Sequence, residues 1–205
     1  MLIIVNGGRR PELEAALAGL DAGMTLERVG AELFQRGELV VRVEVDGQDL
    51  TGQDRELWGG RTDVAELRLE TQSPRALLEG SLRVSREWLP PLRAELASCA
   101  DRFRRGEDAP AIDALIRVVE GLRLLFVGVG QIQRLAANQG LFQDTGLPEG
   151  LVSDFQNEIP RLLDEIIQAQ ERRDWILLSD LLEYDVMDRL AQWEETVDTL
   201  LGVLA

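Results

Sequence analysis

The feature that most restricts this chain is a change of hydrophobic period near Ser73. Beyond it, apolar residues return every three or four positions. Leu78, Leu82, Ser85, Leu89, Leu92, Leu96, Cys99 and Phe103 form one such series, interrupted in character only by Ser85. Ile112, Leu115, Val119, Leu122, Phe126 and Val129 form a second, and Phe155, Ile159, Leu162 and Ile166 a third. The fourth runs through Trp175, Leu178, Leu182, Val186, Leu190, Trp193, Val197, Leu200 and Leu204. A helix turns once in ~3.6 residues, so steps of three and four keep returning to one face. Four such faces predict an antiparallel bundle of about four helices over residues 73–205.

Local signals punctuate the same span. Ser73-Pro74 places a capping hydroxyl before a proline at the first helical position, and RRGEDAP reads as the first turn. The second helix is expected from about Pro110 to Asn138, with Gly121 and Gly128 one heptad apart, where another helix can approach closely. NQGLFQDTGLPEG, residues 138–150, is the longest expected loop. The third helix begins near Leu151 and contains Pro160, and ERRD leads into the last. Pro90-Pro91 lies inside the first helix and predicts a bend near Trp88, because proline removes a helical hydrogen bond.

Residues 1–72 follow a different rhythm. LIIVNGG is a β-rich run closed by a turn signal. ELEAALAGL (12–20) suits either a helix or the return strand of a hairpin. In MTLERVGAELFQRG, Thr25 is the expected N-cap and Gly37 the C-cap, with Leu26, Val29 and Leu33 on one face. Val41, Val43 and Val45 alternate with charged residues, Asp46-Gly47 makes a turn, and Val64, Leu67 and Leu69 mark a final strand. The expected fold class is therefore α+β, with a small α+β domain at 1–72 and a helical bundle at 73–205.

Composition narrows the chemistry. The 22 basic residues are all arginine and there is no histidine. That removes the lysine Schiff base, the P-loop lysine, the Ser-His-Asp triad and histidine metal ligands. Cys99 has no partner for an intramolecular disulfide and falls on an apolar face, where it reads as a small hydrophobe. The net charge of -15 disfavours nucleic acid and anionic membrane surfaces as partners. Most of it belongs to residues 149–205, whereas 73–148 is close to neutral. MLIIVNGGRR places its basic residues after a very short apolar run, the reverse of a secretory signal, so the expected location is cytoplasmic.

The strongest case for catalysis or metal binding rests on Asp180, Glu183, Asp185 and Asp188, with Asp164 and Glu165 on the preceding helix. A metal held by oxygens alone is compatible with them. Asp180, Glu183 and Asp188 lie off the apolar seam, where a solvated face is the simpler reading. GVGQIQ lies within a helix and follows no strand, so it is not a phosphate loop.

MLIIVNG, the helix begun by Thr25-Leu26 and VEVDGQDL resemble the β-grasp fold of sulfur carriers and ubiquitin-like proteins. That resemblance implies a β-grasp-like head. Carrier chemistry would need the internal Gly59-Gly60 to become a free terminus. SPRALLEGSLRVSREWL and the helix-turn-helix rhythm after it resemble flagellar export chaperones of the FliS type, which implies an acidic bundle that wraps a partner helix. The VNG…VDG head with the LLEY…W tail is similar to a group of uncharacterised bacterial proteins with a small head on a helical bundle. The expectation is a non-catalytic, self-associating protein-interaction module, an adaptor or chaperone, with no cofactor or metal. It would meet a basic or amphipathic helix through Trp88, Trp175, Tyr184 and Trp193, although Trp175 and Trp193 lie on the fourth seam, where core anchors of the bundle are the simpler reading. The competing expectation is a carboxylate-based enzyme or oxygen-ligand metal-binding protein.

Overall fold

The computed structural model describes residues 1–138 and 150–205. The expected loop at 138–150 falls on 139–149, outside the described residues. The chain divides into two compact units, Met1–Leu77 and Leu78–Ala205, against an expected division after residue 72. The architecture is α+β.

The first unit is a five-stranded sheet ordered β2-β1-β5-β3-β4. Its strands are β1 (Leu2–Val5), β2 (Gly8–Arg9), β3 (Leu39–Val45), β4 (Gln48–Asp49) and β5 (Glu66–Gln72). β1 and β5 run parallel, and the other neighbours are antiparallel. This is the β-grasp-like head expected from the sequence. Both hairpins turn on residues with positive φ, Asn6-Gly7 and Asp46-Gly47, as the tight turn between twisted strands requires. The turns also tie the sheet together. Asp46 Oδ1 accepts the backbone N–H groups of Ala65 and Glu66, each at 2.9 Å. Asn6 Oδ1 accepts from Thr71 N at 2.8 Å.

Helix α2 (Ala22–Gln35) packs its Ala22, Val29 and Leu33 with Ile3, Val5, Val43, Val45, Leu67 and Leu69 in one core. One open alternative is decided and two local expectations change. ELEAALAGL takes the helical alternative: α1 (Pro11–Ala16) starts at Pro11, and the hairpin closes earlier, at Gly8–Arg9. The α2 N-cap is Asp21, whose carboxylate accepts from Met24 N at 2.7 Å. Thr25 is instead buried inside the helix, its hydroxyl donating to the Asp21 carbonyl at 2.7 Å. The valine alternation on β3 breaks at a bulge between Val40 and Arg42, so Val40 rather than Val41 joins the core. Gly37 ends α2 as expected, in a positive-φ conformation, with its N–H and that of Glu38 donating to Phe34 and Leu33 carbonyls.

The second unit is a four-helix bundle. α3 (Pro74–Arg104) enters it from Leu78 onward. α4 (Asp108–Asn138) and α5 (Gly150–Glu171) follow. A final rod is made of α6 (Trp175–Asp180), a π-helical turn (Leu181–Val186) and α7 (Met187–Leu204). Its backbone stays in the helical region through both junctions. Ser73 caps α3 as expected, accepting from Ala76 N at 3.2 Å. Helix α3 continues through Pro90 and Pro91.

Named contacts fix how the helices sit. Glu95–Arg117 and a close approach of Gly121 to Leu92 set α3 antiparallel to α4. Phe155–Trp193 and Glu158–Arg189 set α5 antiparallel to the last rod. Phe103–Trp175, Ser179–Ala100 and Ser85–Trp193 set α3 antiparallel to that rod as well. α4 and α5 also pack together. The result is an up-down-up-down ring in which α4 lies diagonal to the last rod. All four predicted seams meet in one core.

Ser85, the one polar member of the first seam, accepts the Trp193 indole N–H at 2.8 Å. A buried indole N–H left without a partner costs about 1–3 kcal/mol. Ser85→Ala should therefore lower stability by about 1–3 kcal/mol in chemical denaturation.

Three carboxyls of the sheet unit titrate low, Glu14 chiefly through the side-chain hydrogen bond from Arg9. The Thr51 hydroxyl first, then the Thr51 N–H and the Arg42 guanidinium, hold Asp49 down to about 2. Backbone donation, chiefly from Glu66, lowers Asp46. A carboxyl whose folded pKa is depressed adds stability above its unfolded pKa of ~3.9, and that stability is lost as pH falls through the folded value. The melting temperature of the sheet unit should fall between about pH 4 and pH 2, with a shallower fall in Asp49→Asn.

Candidate functional site

The last rod is built to hold one face and offer another. Asp174 caps it, accepting from Leu177 N at 3.1 Å. Trp175 stacks on Phe103 with ring centroids 5.1 Å apart. Ser179 donates to the Ala100 carbonyl at 3.0 Å. Leu178, Leu182, Val186 and Leu190 are buried in succession, each four residues after the last. In an ideal α-helix three such steps accumulate about 120° of rotation away from the core. The π-helical turn at Leu181–Val186 absorbs that drift, because an extra residue per turn rotates the chain less.

What the rod presents outward is both apolar and acidic. Ile176, Leu177 and Tyr184 are 78%, 42% and 60% exposed. Asp174, Asp180, Asp185 and Asp188 are exposed around them. Residues 174–205 carry eight carboxylates and a single arginine. Some of that charge is engaged: Arg104 of α3 pairs with Asp180 at 3.7 Å and with Glu183, and Arg189 pairs with Glu158 of α5. Arg93–Glu194 and Arg86–Asp198, at 2.6 and 3.1 Å, lace α3 to the same rod. Glu165 pairs with Arg161 one turn away on α5. Among the described residues no group of three or more carboxylates or cysteines is placed to hold a metal ion.

The four aromatic residues expected to meet a partner separate into distinct roles. Trp193 is 1% exposed and lies in the core between Ser85 and Phe155, so as a contact residue it is corrected to a core anchor. Trp175 is half-buried by its stack on Phe103. Tyr184 is exposed on the π-helical turn. Trp88 is 41% exposed on α3, one turn after the exposed Val84. The Glu95–Arg117 and Leu92–Gly121 contacts carry the α3–α4 register on to place Trp88 level with Leu124, which is also exposed. Trp88 and Tyr184 thus belong to different helices and form no common cluster with Trp193. Sequence reasoning missed Ile176 and Leu177, which sit beside seam positions and were absorbed into the apolar rhythm. The three successive steps of four were the visible sign of the π-helical turn.

Two other features take on structural roles. Gly59 lies against Gly23, whose N–H donates to the Gly59 carbonyl at 2.7 Å, and a Cβ on Gly59 would sit 2.7 Å from the Arg55 carbonyl. Cleavage after Gly60 would also detach β5, which pairs with both β1 and β3. Cys99 is buried, with its thiol 3.6 Å from the Ala111 carbonyl.

A family model described as a domain of unknown function matches residues 81–196, more than half of the chain. The chain belongs to the DUF8042 family. In this DUF8042 protein the matched span starts within α3 and ends within α7. It takes in the bundle with Ser85, Trp88, the π-helical turn and Trp193, and it leaves the sheet unit outside. No curated protein and no solved structure matches the chain. No helix among the described residues is long and apolar enough to cross a membrane.

Burial first, and the nearby Glu95 carboxylate second, push the Cys99 thiol up to about 11. At neutral pH almost none of it is the reactive thiolate. A thiol reagent should label the native protein slowly and label it rapidly once denaturant unfolds the bundle, read by intact mass. Rapid labelling of folded protein would contradict the packing of α3 against α4.

Proposed function

We propose that this chain is a non-catalytic cytoplasmic protein-interaction module, an adaptor or chaperone, that docks a basic amphipathic helix on its last helical rod. The observation that carries this reading is the exposure of Ile176, Leu177 and Tyr184 within a run of carboxylates at a π-helical turn. Apolar side chains supply contact area, because an amphipathic helix buries its apolar face in such a surface. The surrounding carboxylates supply attraction and orientation toward arginine or lysine on the partner. Departures from α-helical winding often coincide with functional sites, and here the departure carries the exposed tyrosine.

The resemblance to FliS-type export chaperones fits the same picture at the level of architecture, an acidic bundle that receives a helix. The β-grasp-like head gives the module a second folded unit, in keeping with the head-and-bundle bacterial proteins that the sequence resembles.

The test is capture from a lysate of the source organism on tagged wild-type chain and on Ile176→Ala/Tyr184→Ala, at low and high salt. Wild type should retain one basic protein in stoichiometric amount, weakened at high salt because exposed charge pairs are screened. The double variant should retain about tenfold less or lower still, as expected when two contact residues each worth more than ~1 kcal/mol are truncated. Equal retention by both proteins would overturn the assignment of this surface.

A further inference from the structure

The outer face of α4 carries a pattern that matches itself when reversed. Ile116 and Val127 are 63% and 56% exposed. Between them, Glu120 and Arg123 are also exposed, and neither holds an ion pair among the described residues. At 3.6 residues per turn these four side chains lie within about 60° of one another around the helix. That sector points away from the core, since Ala114, Val118, Leu122, Leu125 and Val129 are buried on the opposite side.

The order along the stripe is apolar, acidic, basic, apolar, with Glu120 four residues after Ile116 and Arg123 four before Val127. Its midpoint lies between Gly121 and Leu122. Leu124, 52% exposed, and Val119, half-buried, flank the stripe and are related by the same midpoint.

We propose that α4 packs against α4 of a second copy of this chain, antiparallel about a two-fold axis. In that arrangement Ile116 meets Val127 of the second copy and Glu120 meets Arg123 of the second copy, each twice. A two-fold interface requires such a self-complementary patch, in which each residue's partner is partnered in return. Charge favours this helix over the others. Residues 108–138 carry three carboxylates and three arginines and are neutral, in a chain of net charge -15. The acidic last rod lies diagonal to α4 in the bundle, so pairing through α4 keeps the two most charged helices apart. The interface is separate from the surface assigned to the partner helix, and each can fail without the other.

Sedimentation equilibrium on the full chain tests the pairing. Wild type should sediment at twice the 22.9 kDa chain mass at ~micromolar concentration and above. Glu120→Arg or Arg123→Glu places like charges together twice per dimer, and each should weaken association about tenfold or more. The combined variant Glu120→Arg/Arg123→Glu restores opposite charges and should recover the wild-type dimer. Melting temperatures of all four proteins, measured below the dissociation constant, should agree, which separates lost association from lost folding. A monomeric wild type, a dimer indifferent to either single reversal, or a combined variant that stays dissociated would each overturn the proposal. Ile176→Ala/Tyr184→Ala should leave the dimer unchanged.

Discussion

The bundle depends on one buried contact that joins three of its helices. Trp193 of α7 donates its indole N–H to Ser85 of α3 and sets its ring 5.2 Å from that of Phe155 on α5. A large aromatic side chain brings much apolar area into a core, but its N–H must find an acceptor there. Ser85 supplies that acceptor at a position where the seam otherwise demands leucine. The pairing fixes both the rotation of α7 and its level along α3. From that level the Arg86–Asp198 pair follows on one side, and the Arg93–Glu194 pair, the Ser179–Ala100 bond and the Phe103–Trp175 stack on the other.

Fixing the inner face of the last rod decides what its outer face can do. Four-residue spacing from Leu178 to Leu190 keeps leucine and valine inward only because the π-helical turn takes up the accumulated rotation. The same turn sets Tyr184 outward, about two turns beyond the exposed Ile176 and Leu177, among carboxylates that no seam position could accept. Arg104 holds Asp180 and Glu183 close to α3, which limits self-repulsion within the rod, while Asp185 and Asp188 hold no ion pair among the described residues. The diagonal helix α4 has the complementary character, neutral and partly apolar outside. The bundle therefore separates an acidic surface with exposed apolar side chains from a neutral one.

Much of this was legible from spacing alone. The four seams predicted the helices and most of the bundle core, because period is a direct consequence of which face is buried; on α4 the buried face is turned, so that Val118 and Leu125 take the places expected of Val119 and Phe126, which are half-buried. The strands and turns of the head followed from turn signals and strand alternation, their β-grasp-like arrangement from the resemblance alone, and Ser73, Gly37 and Asp46-Gly47 act as their residue types require. What was not legible depended on contacts far apart in sequence. Thr25 looks like a cap until Asp21, one turn earlier, takes that role. Val41 looks like a core valine until a bulge opposite Glu70 and Thr71 shifts the alternation. Trp193 lies on a seam, which suits a core anchor as well as a contact residue, and only its hydroxyl partner, 108 positions earlier, decides between them. Ile176 and Leu177 were hidden because an apolar residue next to a seam is indistinguishable from one within it until the helix is rotated against its neighbours.

Hydrogen exchange on the complex recovered from lysate, compared with the chain alone, tests the central claim most directly. Docking on the last rod predicts added protection concentrated over residues 174–188, spanning Ile176, Leu177 and the π-helical turn. A complex that protects other helices and leaves 174–188 unchanged would contradict it, as would the failure of any protein to form a complex with the chain.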